Sequence, residues 1–148
     1  MNWYIKSFDE LNTIELYKIL QLRCAVFIVE QNCPYQDLDD KDLKATHIWS
    51  SDSDGNVTAY CRILPAGISY TEPSIGRVAT AATARNTGMG RILMQKAISF
   101  IHDTWNQPAI RISAQLYLDK FYTSLGFETV SEPYMEDNIP HIEMVKTN

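Results

Sequence analysis

A short stretch in the middle of the chain gathers the residue types that grip phosphate. Ile75-Gly76-Arg77-Val78-Ala79-Thr80 reads as a strand, and Arg85-Asn86-Thr87-Gly88-Met89-Gly90-Arg91 follows it as a turn opening a long helix. Gly88 and Gly90 let the main chain approach a ligand closely. The first N–H groups of a helix lack intrahelical partners and sit at the positive end of its dipole, so an anion is stabilised there. Arg85 and Arg91 add cationic charge beside that position. The same glycines would also serve a tight turn and nothing more, because short glycine strings recur by chance. Two other phosphate loops are ruled out by what is missing. No G-x-x-x-x-G-K-S/T string occurs, and the dinucleotide fingerprint G-x-G-x-x-G fails at Leu93. That fingerprint also wants an acid about twenty residues further on, where the chain reads Ala109-Ile110-Arg111-Ile112.

Proton chemistry has its own candidates. Tyr122 falls in the set Leu118, Phe121, Tyr122 and Leu125, spaced as one helix face, and a tyrosine can pack its ring while aiming its hydroxyl at a cleft. Glu30, His47, Glu72, Glu136 and His141 lie in or beside expected loops and strand ends. Each reads first as a solvated or locally bonded side chain, with a general base as the functional alternative and a water chain in place of a dedicated base equally open. Asp37, Asp39, Asp40 and Asp42 crowd one loop. It reads as a solvated acidic run, with attraction of a cationic amine as the functional alternative.

Arg85-x-x-Gly88-x-Gly90 after a strand resembles motif A of the GNAT superfamily of N-acetyltransferases, and Tyr122-Thr123-Ser124-Leu125-Gly126-Phe127 resembles its Y-x-x-x-G-F motif. The second follows the first by one helix and one strand, in the order the elements require. Arg23-Cys24-Ala25-Val26-Phe27-Ile28-Val29-Glu30-Gln31-Asn32-Cys33-Pro34-Tyr35 with Asp39 and Asp42, Ile75-Gly76-Arg77-Val78, Ala114-Gln115, and Tyr134 to Ile142 are similar to the ElaA-like branch. The likeness therefore runs from the first helix to the last strand. Asn86 stands where a glycine is common, stiffening the turn slightly. Asn138 also replaces a usual glycine, and asparagine is the next most tolerant residue at φ > 0.

The resemblance implies an α/β (α+β) acyl-CoA N-acyltransferase fold: a mixed, mostly antiparallel twisted sheet of about seven strands with helices on both faces. It implies acetyl-CoA as co-substrate and no metal. Arg85, Asn86, Thr87, Gly88, Met89, Gly90 and Arg91 would surround the pyrophosphate. Val78, Ala79 and Thr80 would offer backbone groups to the pantetheine arm and the oxyanion, with Gln115 and Tyr122 also on the coenzyme. Tyr122 would act as general acid, with Glu30 and His141 first among the base candidates. The acceptor stays open among small amines, amino acids, aminoglycosides and protein amines. A non-catalytic acyl-CoA sensor is the main rival, and a nucleotide-binding domain a weaker one.

The elements that must position these groups can be read from periodicity. Strands are expected at Trp3–Phe8, His47–Ser51, Val57–Leu64, Ser74–Thr80, Ala109–Ala114, Phe127–Ser131 and His141–Lys146. Asp54-Gly55 signals a hairpin between the second and third. Thr13–Phe27 reads as an amphipathic helix with Ile14, Tyr17, Leu20, Cys24 and Phe27 on its apolar face. Met89–Trp105 is a second helix closed by Pro108, and Tyr117–Leu125 a third ended by Gly126.

Composition sets the outer bounds. The chain has 148 residues, 45% of them hydrophobic and 11% aromatic, and a net charge of −5. That length reads as one domain spanning 1–148 with a core of its own. The acidic balance disfavours nucleic acid, whose binding needs a basic face. No apolar run reaches the ~18 residues of a transmembrane helix, and the N-terminus lacks a secretory pattern. Cys24, Cys33 and Cys61 are odd in number and widely spaced, which argues against disulfides and zinc and for a reduced cytoplasm. Monomer and homodimer are both open.

Overall fold

A computed structural model describes residues 1–147. The strands are β1 (Asn2–Ser7), β2 (Thr46–Ser51), β3 (Val57–Leu64), β4 (Ser74–Thr80), β5 (Ala109–Gln115), β6 (Glu128–Thr129), β7 (Tyr134–Glu136) and β8 (Ile139–Thr147). They form one sheet ordered β1-β2-β3-β4-β5-β8-β6, with β7 paired to β8 off that path. Every pairing is antiparallel except β4 with β5. The helices are α1 (Thr13–Arg23), α2 (Met89–Asp103) and α3 (Asp119–Ser124). The mixed, mostly antiparallel sheet is thus as expected, with eight strands rather than seven.

The additional strand is β7. Asp137 and Asn138 take φ of +51° and +63°, the two left-handed positions of a type I′ hairpin. They turn β7 back onto β8, and Asn138 tolerates its glycine-like position as expected. Gly126 sits at φ +99° just past α3, as its expected capping position requires.

Helices cover both faces. On one, α2 and α3 pack Leu93, Met94, Ala97, Ile101 and Tyr122 against Ile75, Ile112, Ala114, Ile142 and Met144. On the other, α1 and the π-helical segment Cys24–Glu30 that continues it pack Ile19, Leu22, Val26 and Phe27 against Trp49, Tyr60 and Ala79. Each face buries large apolar side chains, the dominant favourable term in holding the layers together.

The face of α1 departs from the expected one. Ile14 and Tyr17 are 71% and 67% exposed, whereas Arg23 is buried with Ile19 and Leu22. The cause is charge. Arg23 Nε donates to Asp37 at 2.9 Å and its NH1 to Asp42 at 2.7 Å, so a guanidinium turns inward with its partners. Beyond Arg23 the wider π turn rotates the continuing face, ending the 3.6-residue spacing.

The acidic loop is corrected for the same reason. Asp37, Asp39 and Asp42 are not a solvated run: they hold Arg23, Arg62 and Arg77 in one paired cluster. That pairing leaves no surplus of negative charge among the three to attract an amine.

Candidate active site

The site begins with a defect in β4. Arg62 pairs with Gly76 and Tyr60 with Ala79, so β4 carries one extra residue opposite Cys61. Arg77 takes φ +49° at this bulge, and a bulge of this kind flips the facing of the residues beyond it. Ile75 and Val78 both pack on the α2 side, while Ala79 packs on the α1 side. Arg77 is held there by its own side chain. Its Nε meets Asp37 at 2.7 Å, and its NH2 donates to the Asp37 carbonyl at 3.0 Å.

Beside the bulge the sheet opens. β4 and β5 are joined in register only where Ser74 faces Arg111. Beyond that junction no ladder pairing joins the two strands, whose ends carry Val78–Thr80 on one arm and Gln115 on the other. The main-chain groups of Val78–Thr80 that do not pair with β3 are therefore left without a strand partner on the β5 side.

The turn after β4 leads into helix α2 beside that break in pairing. Gly88 is the N-cap at φ +82°, and a Cβ there would meet nothing within 4 Å, so the turn faces open space. The first intrahelical donor is the Ile92 N–H, which bonds the Gly88 carbonyl at 3.2 Å. The N–H groups of Met89, Gly90 and Arg91 precede it and are the orphan donors of the helix start. Asn86 does more than stiffen the turn, since it takes the left-handed conformation at φ +63°. Thr87 donates its hydroxyl to the Ala84 carbonyl and pins the turn from inside. Gly90 packs its Cα side toward the Phe121 ring and the Thr80 methyl. Arg91 lies over Phe121 and donates to Ser124 Oγ at 2.7 Å.

Arg85 and Glu30, two residues singled out separately, meet in an ion pair, and Arg85 also donates to the Thr80 carbonyl at 3.0 Å. Glu30 thus braces the turn before α2 through Arg85.

Tyr122 lies on the α2 side, 6% exposed, its ring edge-on to Phe121 and Phe127. Its hydroxyl has no hydrogen-bond partner among the described residues, and its oxygen is not sealed from solvent. Burial, reinforced by Cys61 nearby, pushes its phenol pKa well up, and the hydroxyl keeps its proton at neutral pH.

His141 lies on the other side. It pairs with Gln115 across β5 and β8, and since Ala114 and Ile142 face Tyr122, strand alternation turns Gln115 and His141 away from it. His141 Nδ1 is 2.7 Å from the Ile139 carbonyl, and Nε2 is 3.4 Å from Glu136. The Tyr134 ring stacks on the imidazole at 6.1 Å. Cys33 donates its thiol to the Asp137 carbonyl at 3.2 Å, tying the segment after the π turn to the β7–β8 hairpin.

The remaining base candidates are consumed by structure. His47 is fully buried between the Tyr60 hydroxyl at 2.7 Å and the Asp42 carbonyl at 3.0 Å. Glu72 takes a fork of two bonds from Arg111, and this pairing holds its carboxyl low, at about 2. Among the described residues no group of three His, Cys, Asp or Glu suits a metal ion, and no helix is long and apolar enough to cross a membrane.

The chain resembles known proteins along nearly its whole length. Residues 16–148 match the family model described as an acetyltransferase (GNAT) domain. Protein ElaA of Escherichia coli (strain K12) is 41% identical over 150 residues, covering 99% of this chain and 96% of that protein. The crystal structure of an acyl-CoA N-acyltransferase from Pseudomonas aeruginosa superposes with a TM-score of 0.93 at 39% identity, over 99% of both chains. The crystal structure of Escherichia coli ElaA superposes at 0.90 with 42% identity, again over 99% of both. The chain belongs to the GNAT acetyltransferase family, and the family supports acyl-CoA-dependent acetyl transfer in general terms.

Proposed function

We propose that the protein is an acetyl-CoA-dependent N-acetyltransferase, a single domain over residues 1–148, that moves the acetyl group to a primary amine by direct attack on the thioester. The observation that carries this reading is the loss of pairing between the ends of β4 and β5, with the unpaired start of α2 following β4 beside it. The fit to the coenzyme is physical. Orphan N–H groups of Met89, Gly90 and Arg91 supply donors for a diphosphate, and the space beside Gly88 leaves room for it. Arg85, Asn86 and Thr87 complete that turn. Val78, Ala79 and Thr80 pair through their main chain with the pantetheine arm, and Gln115 lines the opposite arm. The coenzyme supplies the activated acetyl carbon.

The chain's own groups then divide the work. The Val78 N–H stabilises the charge that grows on the thioester oxygen. Tyr122, protonated and not sealed from solvent, gives its proton to the departing sulfur. His141 takes a proton from the amine on the opposite side. Glu30 is set aside as the base because Arg85 holds it. The Pseudomonas relative, described as an acyl-CoA N-acyltransferase, supports the N-acyl class. The free cysteines, with Cys24 exposed, suit a reducing cytoplasm.

Release of coenzyme A thiol, measured with acetyl-CoA across a panel of primary amines, tests the reading. Amine-dependent release with a matching N-acetyl product by mass supports it. Binding of acetyl-CoA with no release for any amine would leave the sensor reading in its place.

A further inference from the structure

We infer that the protein forms a twofold dimer through the outer face of α1 and its π-helical continuation. Tyr17 of each copy sits over Cys24 and Ala25 of the other, and Gln21 lies on the axis. The inference is independent of the acetyl-transfer reading. It starts from the two apolar faces of this segment. The inner face, Ile19, Leu22, Val26 and Phe27, packs on the sheet. The outer face holds Ile14, Tyr17 and Val29 at 71%, 67% and 69% exposure, with Cys24 exposed between them. A helix apolar on opposite sides is built to be covered on both, and an exposed apolar stripe marks an interaction surface. The stripe survives the change of helix type. Tyr17, Gln21 and Cys24 follow at steps of four and three, the α spacing, and Cys24 to Val29 is five, the step of the wider π turn.

Charge narrows what covers it. Every charged side chain of residues 13–30 is engaged within its own chain. Lys6 donates to Glu15 at 2.8 Å, Lys18 donates to Asn56 at 3.0 Å, Arg23 turns inward onto Asp37 and Asp42, and Arg85 holds Glu30. A nucleic acid or an anionic membrane would need free cations here. An uncharged stripe instead matches the core of a protein interface, where charge is depleted.

Shape selects a second copy of this chain. Tyr17, Leu20, Gln21, Cys24, Ala25 and Val29 wall a hollow of about 500 Å³. Cys24 and Ala25 are its small residues, and Tyr17 is its largest. Tyr17 and Ala25 lie four residues to either side of Gln21. A twofold axis through Gln21 therefore carries each Tyr17 onto the Cys24–Ala25 hollow of the other copy, so that large meets small twice, as an isologous contact requires. A second hollow of about 370 Å³ adjoins the first, shares Leu20 and Cys24, and is lined by Ile28, Pro34 and Leu38. Ile14 and Ile28 lie seven residues to either side of Gln21, and the same rotation brings the exposed Ile14 to that hollow. The two helices run antiparallel, which opposes their dipoles favourably. On the axis a side-chain amide both donates and accepts, so Gln21 pairs with its own copy, where a lysine or glutamate would meet its like charge.

Sedimentation equilibrium of the whole protein tests the dimer. A monomer–dimer equilibrium with a Kd at or below about 50 µM is expected. Ala25→Arg blocks the hollow, and Tyr17→Asp removes the knob at an exposed position where folding is undisturbed. Each should weaken association at least about tenfold, with an unchanged circular dichroism spectrum. The register has its own check. Gln21→Cys in a Cys24→Ser chain should give a covalent dimer on mild oxidation, well beyond that of the Cys24→Ser chain alone. A protein that stays monomeric at about 500 µM, ten times the expected limit, overturns the inference and leaves this face to a different partner. A dimer that Tyr17→Asp leaves intact, or that Gln21→Cys fails to cross-link, places the interface elsewhere and overturns it equally.

Discussion

The guanidinium of Arg77 closes on Asp37 at 2.7 Å while its own backbone sits at φ +49° in the β4 bulge. The pairing matters because the bulge sets the facing of Val78, whose N–H we propose for the thioester oxygen. A side chain that leaves the sheet to grip the loop after α1 thereby holds a conformation that L-residues avoid.

Arg77→Ala removes the grip and keeps the backbone cost. It should destabilise the fold by about 2 kcal/mol, the scale of one lost charge-assisted contact, because Arg23 still pairs with Asp37. Arg77→Gly loses the same grip but accepts positive φ, and should recover about 1 kcal/mol of that loss. Urea denaturation of the two variants reads the difference. Equal midpoints would mean that the left-handed backbone carries no cost here.

Tyr122→Phe should lower turnover about a hundredfold, the scale of losing a general acid, with acetyl-CoA affinity nearly unchanged. Steady-state kinetics beside a binding titration separates the two effects. Wild-type turnover in the variant would remove Tyr122 from the proton path.

Gly88→Ala places a methyl group in open space but at φ +82°. Strain alone should cost about 1 kcal/mol of stability, and relaxation of the turn would misdirect the amides of Met89 and Gly90. Acetyl-CoA affinity should therefore fall more than stability does. Thermal melts with and without acetyl-CoA check this through the size of the ligand-induced shift.

Acid should weaken the fold in two stages. Burial lowers the His47 pKa, so the stability gained by keeping it neutral is present above its unfolded pKa of about 6.5 and lost as pH falls below that. Burial alone would raise Asp42 and Asp39, but the guanidiniums of Arg23 and Arg62 outweigh it and hold both low. Their contribution is full above about pH 4 and drains away below it. Melting temperature measured from pH 8 to pH 3 should show both declines, and His47→Gln should erase the first one. A flat profile down to pH 4.5 would contradict the His47 assignment.

Much of the fold is legible because its signals are local. Asp54-Gly55, Pro108 and Gly126 punctuate the chain where the structure turns, and Gly88 takes the positive φ that its place at the helix start demands. The face of α1 was not legible, because Arg23 is buried only by virtue of aspartates that lie well along the chain. The acidic loop misleads for the same reason, since its arginine partners come from α1, β3 and β4. Asp137-Asn138 is a weak hairpin signal beside strands as short as β7. The gap between β4 and β5 leaves no mark in sequence, because it consists of pairings that do not form. The bulge at Arg77 is equally silent, as arginine is not a residue that announces positive φ. For the candidate site, the glycine turn before α2 is legible from its residues and Tyr122 stands out by the resemblance of its motif, whereas the bond between Glu30 and Arg85 needed the fold.

The account depends most on the gap and the start of α2 accepting an acyl-CoA together. Isothermal titration calorimetry of the intact protein with acetyl-CoA tests that directly. Saturable one-to-one binding is predicted, matched by coenzyme A and lost on removal of the diphosphate-bearing half of the ligand. No heat of binding at about millimolar acetyl-CoA, where even a weak site of about −4 kcal/mol would begin to fill, would contradict it.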